Sequence, residues 1–216
     1  MMRDAIAEAL GALLLAATVI GSGIMAGQLA GGNTAVALLA NTLATVAALA
    51  TLIALFGPIS GAHFNPVVTL HALATKQIST RRAAVYVVAQ IAGCSAGALL
   101  AHAMFALPLV QASTHARTGA AQWLSELIAT AGLVLVVARC PSVAAAAWRV
   151  PLWIGAAYWF TASTSFANPA ITIARAMTDS FSGIRPDDVM GFILAQLTGG
   201  LLGALLARYF APAKEA

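Results

Sequence analysis

The sequence predicts an all-α membrane protein with six transmembrane helices and two re-entrant half-helices, arranged as an inverted repeat. Three observations carry this reading. First, 61% of the 216 residues are apolar and only 8% are charged, against about 25% charged in a soluble domain. So few charges cannot coat a water-exposed surface, and lipid must be the main solvent. Second, six apolar runs are long enough to cross a hydrocarbon core, which takes roughly 20 helical residues. Third, two Asn-Pro boxes, Asn65-Pro66-Val67 and Asn168-Pro169-Ala170, each open a segment too short to span alone.

The six runs cover 5–27, 34–56, 82–106, 121–139, 149–165 and 187–210. The first is too long for the apolar core of a signal peptide, and Arg3 is only a weak basic flank, so it reads as a spanning helix. The two short segments are 57–75 and 161–178. Asparagine is a good N-cap, and proline at the first helical position loses no needed hydrogen bond. Pro66 and Pro169 therefore each start a helix of about three turns. A half-length helix in lipid is tolerated only where it is buried in protein or lines a watery cavity.

Counting crossings sorts the basic residues by side. Arg3, Lys76, Arg81, Arg82, Arg139, Arg149, Arg208 and Lys214 fall on one side; Arg117, Arg175 and Arg185 fall on the other. The positive-inside rule then places both termini in the cytoplasm. The net charge of +4 reflects this loop bias and points to no nucleic-acid partner.

The two halves resemble each other. Ala89-Gln90-Ile-Ala-Gly93-Cys-Ser-Ala-Gly97-Ala-Leu-Leu-Ala101 aligns with Ala195-Gln196-Leu-Thr-Gly199-Gly-Leu-Leu-Gly203-Ala-Leu-Leu-Ala207. Glu8 and Glu126 each lie early in the first helix of a half. The chain is thus one channel domain, 1–216, with repeats at approximately 1–112 and 118–216. Three spans per half is an odd number, so the second copy enters the membrane upside down. Such folds place their site at the midplane, between the halves, at broken helices. The Gly-x-x-x-Gly spacings at Gly93/Gly97 and Gly199/Gly203 are expected to let helices approach closely.

Half-helices entering from opposite faces meet head to head. Each N-terminus carries about half a positive charge from its backbone dipole, and each Asn amide has N–H groups to offer the lumen. A neutral hydroxylated solute can accept those bonds, whereas a cation meets an electrostatic barrier. Intramembrane carboxylates are functional suspects. Glu8 and Glu126 are expected to brace the irregular backbone before each half-helix; proton coupling is the alternative. His63 and His71 flank the first box and are candidates for the cytoplasmic pore lining, or for packing. Cys94 and Cys140 are not spaced for a metal site and read as packing residues.

The segment Ser60-Gly-Ala-His-Phe-Asn-Pro-Val-Val-Thr-Leu70, with Glu8, Glu126, Gln90 and Gln196, resembles the major intrinsic protein family of aquaporins and aquaglyceroporins. The resemblance covers almost the whole chain. It implies an aquaporin-like fold and a homotetramer with one pore per subunit, set in the lipid bilayer of a bacterial inner membrane. No enzymatic activity, cofactor or metal is implied. Two departures stand out. The first box ends in Val67 where the family usually has Ala, and Ile171 stands where the family usually has Arg. Counting back as the family pattern does puts the outer filter at Thr45, Ala156, Ser165 and Ile171. All four are small or medium and uncharged, which implies a filter wider than the family's water or glycerol filters. Arg175, one turn further on, is expected at the outer mouth, adding positive potential or bracing a loop. The stretch from Ala167 to Ile184 is similar to bacterial channels encoded with arsenic-resistance genes. The expected activity is passive passage of small neutral solutes: glycerol, urea, arsenite or methylated arsenicals, and some water. The alternatives are a secondary transporter coupled to protons through Glu8 and Glu126, or a plain water channel.

Overall fold

Local caps set where the apolar runs become helices. In the computed structural model, which describes residues 1–211, the chain forms α1 (Met2–Leu29), α2 (Thr34–Ser60), α3 (Pro66–Ala74), α4 (Thr80–Met104), α5 (Ala120–Ala138), α6 (Val143–Phe160), α7 (Pro169–Arg175) and α8 (Val189–Tyr209), with a 3-10 turn at Pro186–Asp188. Lys214, counted above with the basic residues of one side, lies outside the described residues. Asn33 caps α2 by accepting from the Ala35 and Val36 N–H groups. Ser79 caps α4 through Arg82, and Ser142 caps α6 through Ala145. That last cap corrects the run expected at 149–165. It starts the helix earlier, and left-handed backbone at Thr164 and Ser165 keeps the residues beyond Phe160 out of it.

Helices α1, α2, α4 and α5, and the stretch Pro186–Tyr209 that holds α8, are long and apolar enough to cross a membrane. The sixth, α6, has 18 residues and carries Arg149 and Pro151. It completes the bundle by packing on α2 and α5. The half-helices α3 and α7 have 9 and 7 residues. At about 1.5 Å per residue each is under half of a ~30 Å hydrocarbon core. The second is shorter than the three turns expected, because the Ala176 and Met177 N–H groups turn back to the Ile173 and Ala174 carbonyls and tighten its end.

Packing repeats in pairs. As α1 packs on α4 and α2, so α5 packs on α8 and α6. Each half-helix lies against both α4 and α8, so it is held by its own half and by the other. The seams between long helices are glycine-lined. A Cβ at Gly93 or Gly97 would overlap the carbonyls of Ala9 or Leu13 on α1, and one at Gly199 or Gly203 those of Leu127 or Ala131 on α5. The helices are therefore at backbone contact, as the Gly-x-x-x-Gly spacing predicts. That contact brings Glu8 and Glu126, on α1 and α5, into reach of the loops before the half-helices.

Overpacking such a seam costs typically 1–3 kcal/mol. Gly199→Ala is expected to lower the thermal unfolding temperature in detergent. Gly27→Ala, in the same kind of helix but with open space at its Cβ, should leave that temperature unchanged or raise it slightly.

Candidate functional site

The site starts with two stretches of irregular backbone. Before α3, Ala62 and Phe64 have φ of 49° and 48°; before α7, Thr164, Ser165 and Ala167 have φ of 58°, 48° and 47°. Non-glycine residues held in this left-handed region cost of order 1–3 kcal/mol each and persist only where their surroundings over-determine them. Here a buried carboxylate does so in each half. One Glu8 oxygen accepts from Ser60 Oγ at 2.6 Å and the His63 N–H at 2.9 Å; the other accepts from the Phe64 N–H at 2.7 Å and Gln90 Nε2 at 2.7 Å. Glu126 accepts from the Phe166 and Ala167 N–H groups, both at 2.8 Å, and from Gln196 Nε2 at 2.6 Å. Each glutamine also donates to a threonine of the half-helix, Gln90 to Thr69 and Gln196 to Thr172. Both carboxylates are fully buried, and neither is among the residues that line the cavity.

With the loops pinned, the two half-helix N-termini meet and their asparagines cross-link. Asn65 Oδ1 caps its own helix through the Val67 N–H at 2.9 Å, while its Nδ2 donates to the Ala167 carbonyl at 2.7 Å. Asn168 Oδ1 accepts from the Ala170 and Ile171 N–H groups, and its Nδ2 donates to the Phe64 carbonyl at 2.9 Å. Each amide thus has its oxygen and one N–H committed, which fixes its plane and leaves one N–H free.

Beside this junction lies a cavity of about 280 Å³. Of the six box residues, only Asn65 and Asn168 line it; Pro66, Val67, Pro169 and Ala170 are buried behind them. Stripes of residues four apart form much of the wall: Thr45, Leu49 and Ile53 on α2, Val150, Ile154 and Tyr158 on α6, with Leu15 and Val19 of α1 and Leu133 and Val137 of α5. The cavity runs past the junction from Cys140 and Ser142 at one end to Tyr158 and Arg175 at the other.

Thr45, Ser165 and Ile171 all line the cavity. Ala156 does not. It is exposed and sits with Trp148, Leu152 and Trp153 on the outer face of the bundle. The count back from Asn168 was two residues out, and two residues are about 200° of helix rotation. The side chain that α6 turns inward there is Tyr158, whose hydroxyl lies 3.4 Å from Thr45 Oγ1. The four-residue stripe through Val150 and Ile154 is the sequence signal that finds it. Arg175 is not at the rim but in the wall, 2% exposed, with its guanidinium carbon 3.3 Å from the centroid of the Phe166 ring. His63 lines the cavity and its Nδ1 sits 3.1 Å from Thr69 Oγ1. His71 does not line it.

Arg117, from the long α4–α5 connection, carries a role its sequence position did not suggest. Its guanidinium donates to the carbonyls of Gly183, Ser163 and Phe181, and its backbone N–H donates to Asp188. The same connection is tied to the segment after α7 by Gln111 to Met177, Ser113 to Ala176 and Arg185 to His115 backbone bonds. Thr114 donates twice to Asp179; these bonds hold that exposed carboxyl below its usual range.

Comparison with known proteins agrees with this architecture. The family model described as "Major intrinsic protein" matches residues 1–142. The chain is 51% identical over 211 residues to the aquaglyceroporin AqpS of Rhizobium meliloti, covering 97% of this chain and 90% of that one. It is 33% identical to human aquaporin-2 over 181 residues, covering 76% of this chain and 65% of the relative. Its fold is similar to the X-ray structure of the aquaglyceroporin from Plasmodium falciparum, with a TM-score of 0.68, 21% identity, and coverage of 97% and 95%. The apolar spans, the paired half-helices and these matches agree: the chain is a multi-pass membrane protein that belongs to the major intrinsic protein family.

Proposed function

We propose that this protein is a passive channel of the aquaglyceroporin type. Its solutes are small, neutral and hydroxylated: glycerol, urea, and arsenite as As(OH)₃ or methylated arsenicals, with some water. The observation that carries this reading is the single cavity passing both asparagines and bounded at one end by Thr45, Tyr158, Ser165, Ile171 and Arg175. Ile171, in the first turn of α7, puts an apolar side chain in that wall next to the asparagine junction, and the cation of the wall, Arg175, stands one turn further on. The asparagine N–H groups offer hydrogen bonds to a hydroxylated solute, and two converging helix N-termini disfavour cations. The 51% identity to a protein named as an aquaglyceroporin supports the same class.

The basic-residue bias supports cytoplasmic termini, which turns the Arg175 end outward and the Cys140 end inward. We assign the chain to the cell membrane and to a homotetramer with one pore per subunit, as its family membership suggests. The bracing of Glu8 and Glu126 by three or four donors each, away from the cavity, favours a channel over a proton-coupled transporter.

Three outcomes test this. In light-scattering assays on proteoliposomes, urea and glycerol should equilibrate faster than in empty liposomes, and a proton gradient should drive no uphill uptake; solute rates equal to those of empty liposomes would refute the channel. Ile171→Arg should cut glycerol flux by about tenfold or more while reducing water flux less, since the added side chain narrows the pore and adds a charge. Equal losses would mean that Ile171 does not face the solute. Glu126→Gln replaces an acceptor oxygen with a donor facing other donors, and should destabilise the fold by about 3 kcal/mol. It should show as a lower unfolding temperature, with the pH dependence of the remaining flux unchanged.

A further inference from the structure

The cavity-lining stripe of α6 is aimed by contacts on either side of it. At about 100° of rotation per residue, Trp153 and Gly155 flank Ile154, the centre of the stripe Val150, Ile154 and Tyr158 that lines the cavity. Each flank meets a different helix. Trp153 donates its indole N–H to the Ala129 carbonyl of α5 at 2.9 Å. Its ring fills a notch at Gly132, where a Cβ would overlap the indole. Phe160, two turns on, packs edge-to-face with the same ring, their centroids 5.6 Å apart. On the other flank Gly155 lies against α2, where a Cβ would press on the Val46 side chain.

The two flanks do different work. A small residue lets helices approach closely, but it carries no side chain to resist a roll. The indole bond is directional, and an indole N–H inside a membrane span is costly to leave without a partner. Bond and notch together therefore select one azimuth and one height for α6. A roll by a single residue, about 100°, would carry Tyr158 out of the wall. In the selected position the Tyr158 hydroxyl comes to 3.4 Å from Thr45 Oγ1, and Thr45 is the chain neighbour of the Val46 that Gly155 meets. Trp153 itself does not line the cavity; it lies on the outer face with Leu135, Trp148 and Leu152.

We propose that Trp153, seated at Gly132, is a positioning residue for solute selection: it sets the azimuth of α6 and so holds Tyr158 in the wall beside Thr45. Selectivity is then governed from the outer face of the bundle, by a side chain that never meets the solute. This inference rests on the channel reading above, and its test separates the two.

The readout is the glycerol-to-water permeability ratio of full-chain proteoliposomes, by light scattering with the flux of empty liposomes subtracted. That ratio does not depend on how many channels are active. Tyr158→Ala, which opens the wall, should raise it by about tenfold. Trp153→Ala, which frees α6 to roll, should raise it by about threefold or more, the worth of one hydrogen bond in the placement of Tyr158. In the Tyr158→Ala background, Trp153→Ala should add nothing, because the side chain that it positions is gone; such non-additivity marks coupled residues. A merely structural role would lower the unfolding temperature and scale both fluxes equally. An unchanged ratio in Trp153→Ala therefore overturns the proposal, as does an unchanged ratio in Tyr158→Ala or a full additive shift in the double variant. Should Trp153→Ala fail to fold, Gly132→Ala, which pushes the indole from its notch, decides by the same ratio and the same cycle. Wild-type water and glycerol fluxes no faster than those of empty liposomes overturn the channel reading itself, and the proposal with it.

Discussion

The structure depends on two buried carboxylates. A half-helix can start at the middle of a membrane only if the chain leading to it crosses the hydrocarbon depth without helical hydrogen bonds. Those stretches use left-handed residues such as Phe64 and Ala167, whose N–H groups find no partner in their own backbone. Glu8 and Glu126 supply that partner. Once each loop is tied to a long helix, the glutamine of the facing helix joins the same carboxylate and reaches on to the half-helix threonine. Carboxylate, amide and hydroxyl thus fasten three elements at once, and the half-helix is positioned by its neighbours rather than by its own few hydrogen bonds.

The asparagine junction follows from that bracing. Phe64 and Ala167 present their N–H groups to the carboxylates and their carbonyls to the opposite asparagine. One peptide segment therefore links the support of its own loop to the amide of the other half. This reciprocity ties the midplane together: moving either asparagine would uncap its helix and break a bond across the interface at once.

The repeats part company away from the midplane, where the two ends of the pathway acquire different chemistry. Tyr86 donates to the Ser60 carbonyl at 2.9 Å and is itself held by Arg82, which pairs with Asp4. At the corresponding place in the second half stands Phe192, which has no hydroxyl. There Arg117 reaches in from the long connection and donates to the Ser163 carbonyl instead. The same loop carbonyl position is thus satisfied by a neutral hydroxyl at one end and by a cation at the other. Together with Arg175 on the shared Phe166 ring, this gives the Arg175 end a positive character that the His63 end lacks.

The linear sequence by itself determined five of the six spans and the existence, though not the bounds, of α6, together with the half-helix starts, the pairing of Glu8 with Glu126 and of Gln90 with Gln196, and the close helix seams. Each of these is a local chemical pattern or a spacing, and such signals survive in one dimension. Only the tertiary structure decided which side chains face the solute. Azimuth advances by about 100° per residue, so Ala156, two residues before Tyr158, lies on the outer face while Tyr158 is in the wall. Nor does anything near Arg175 in sequence reveal that it is buried. Its environment comes from Phe166 and Ser182 in its own half, and from the connection carrying Arg117, far away along the chain and brought together only by folding.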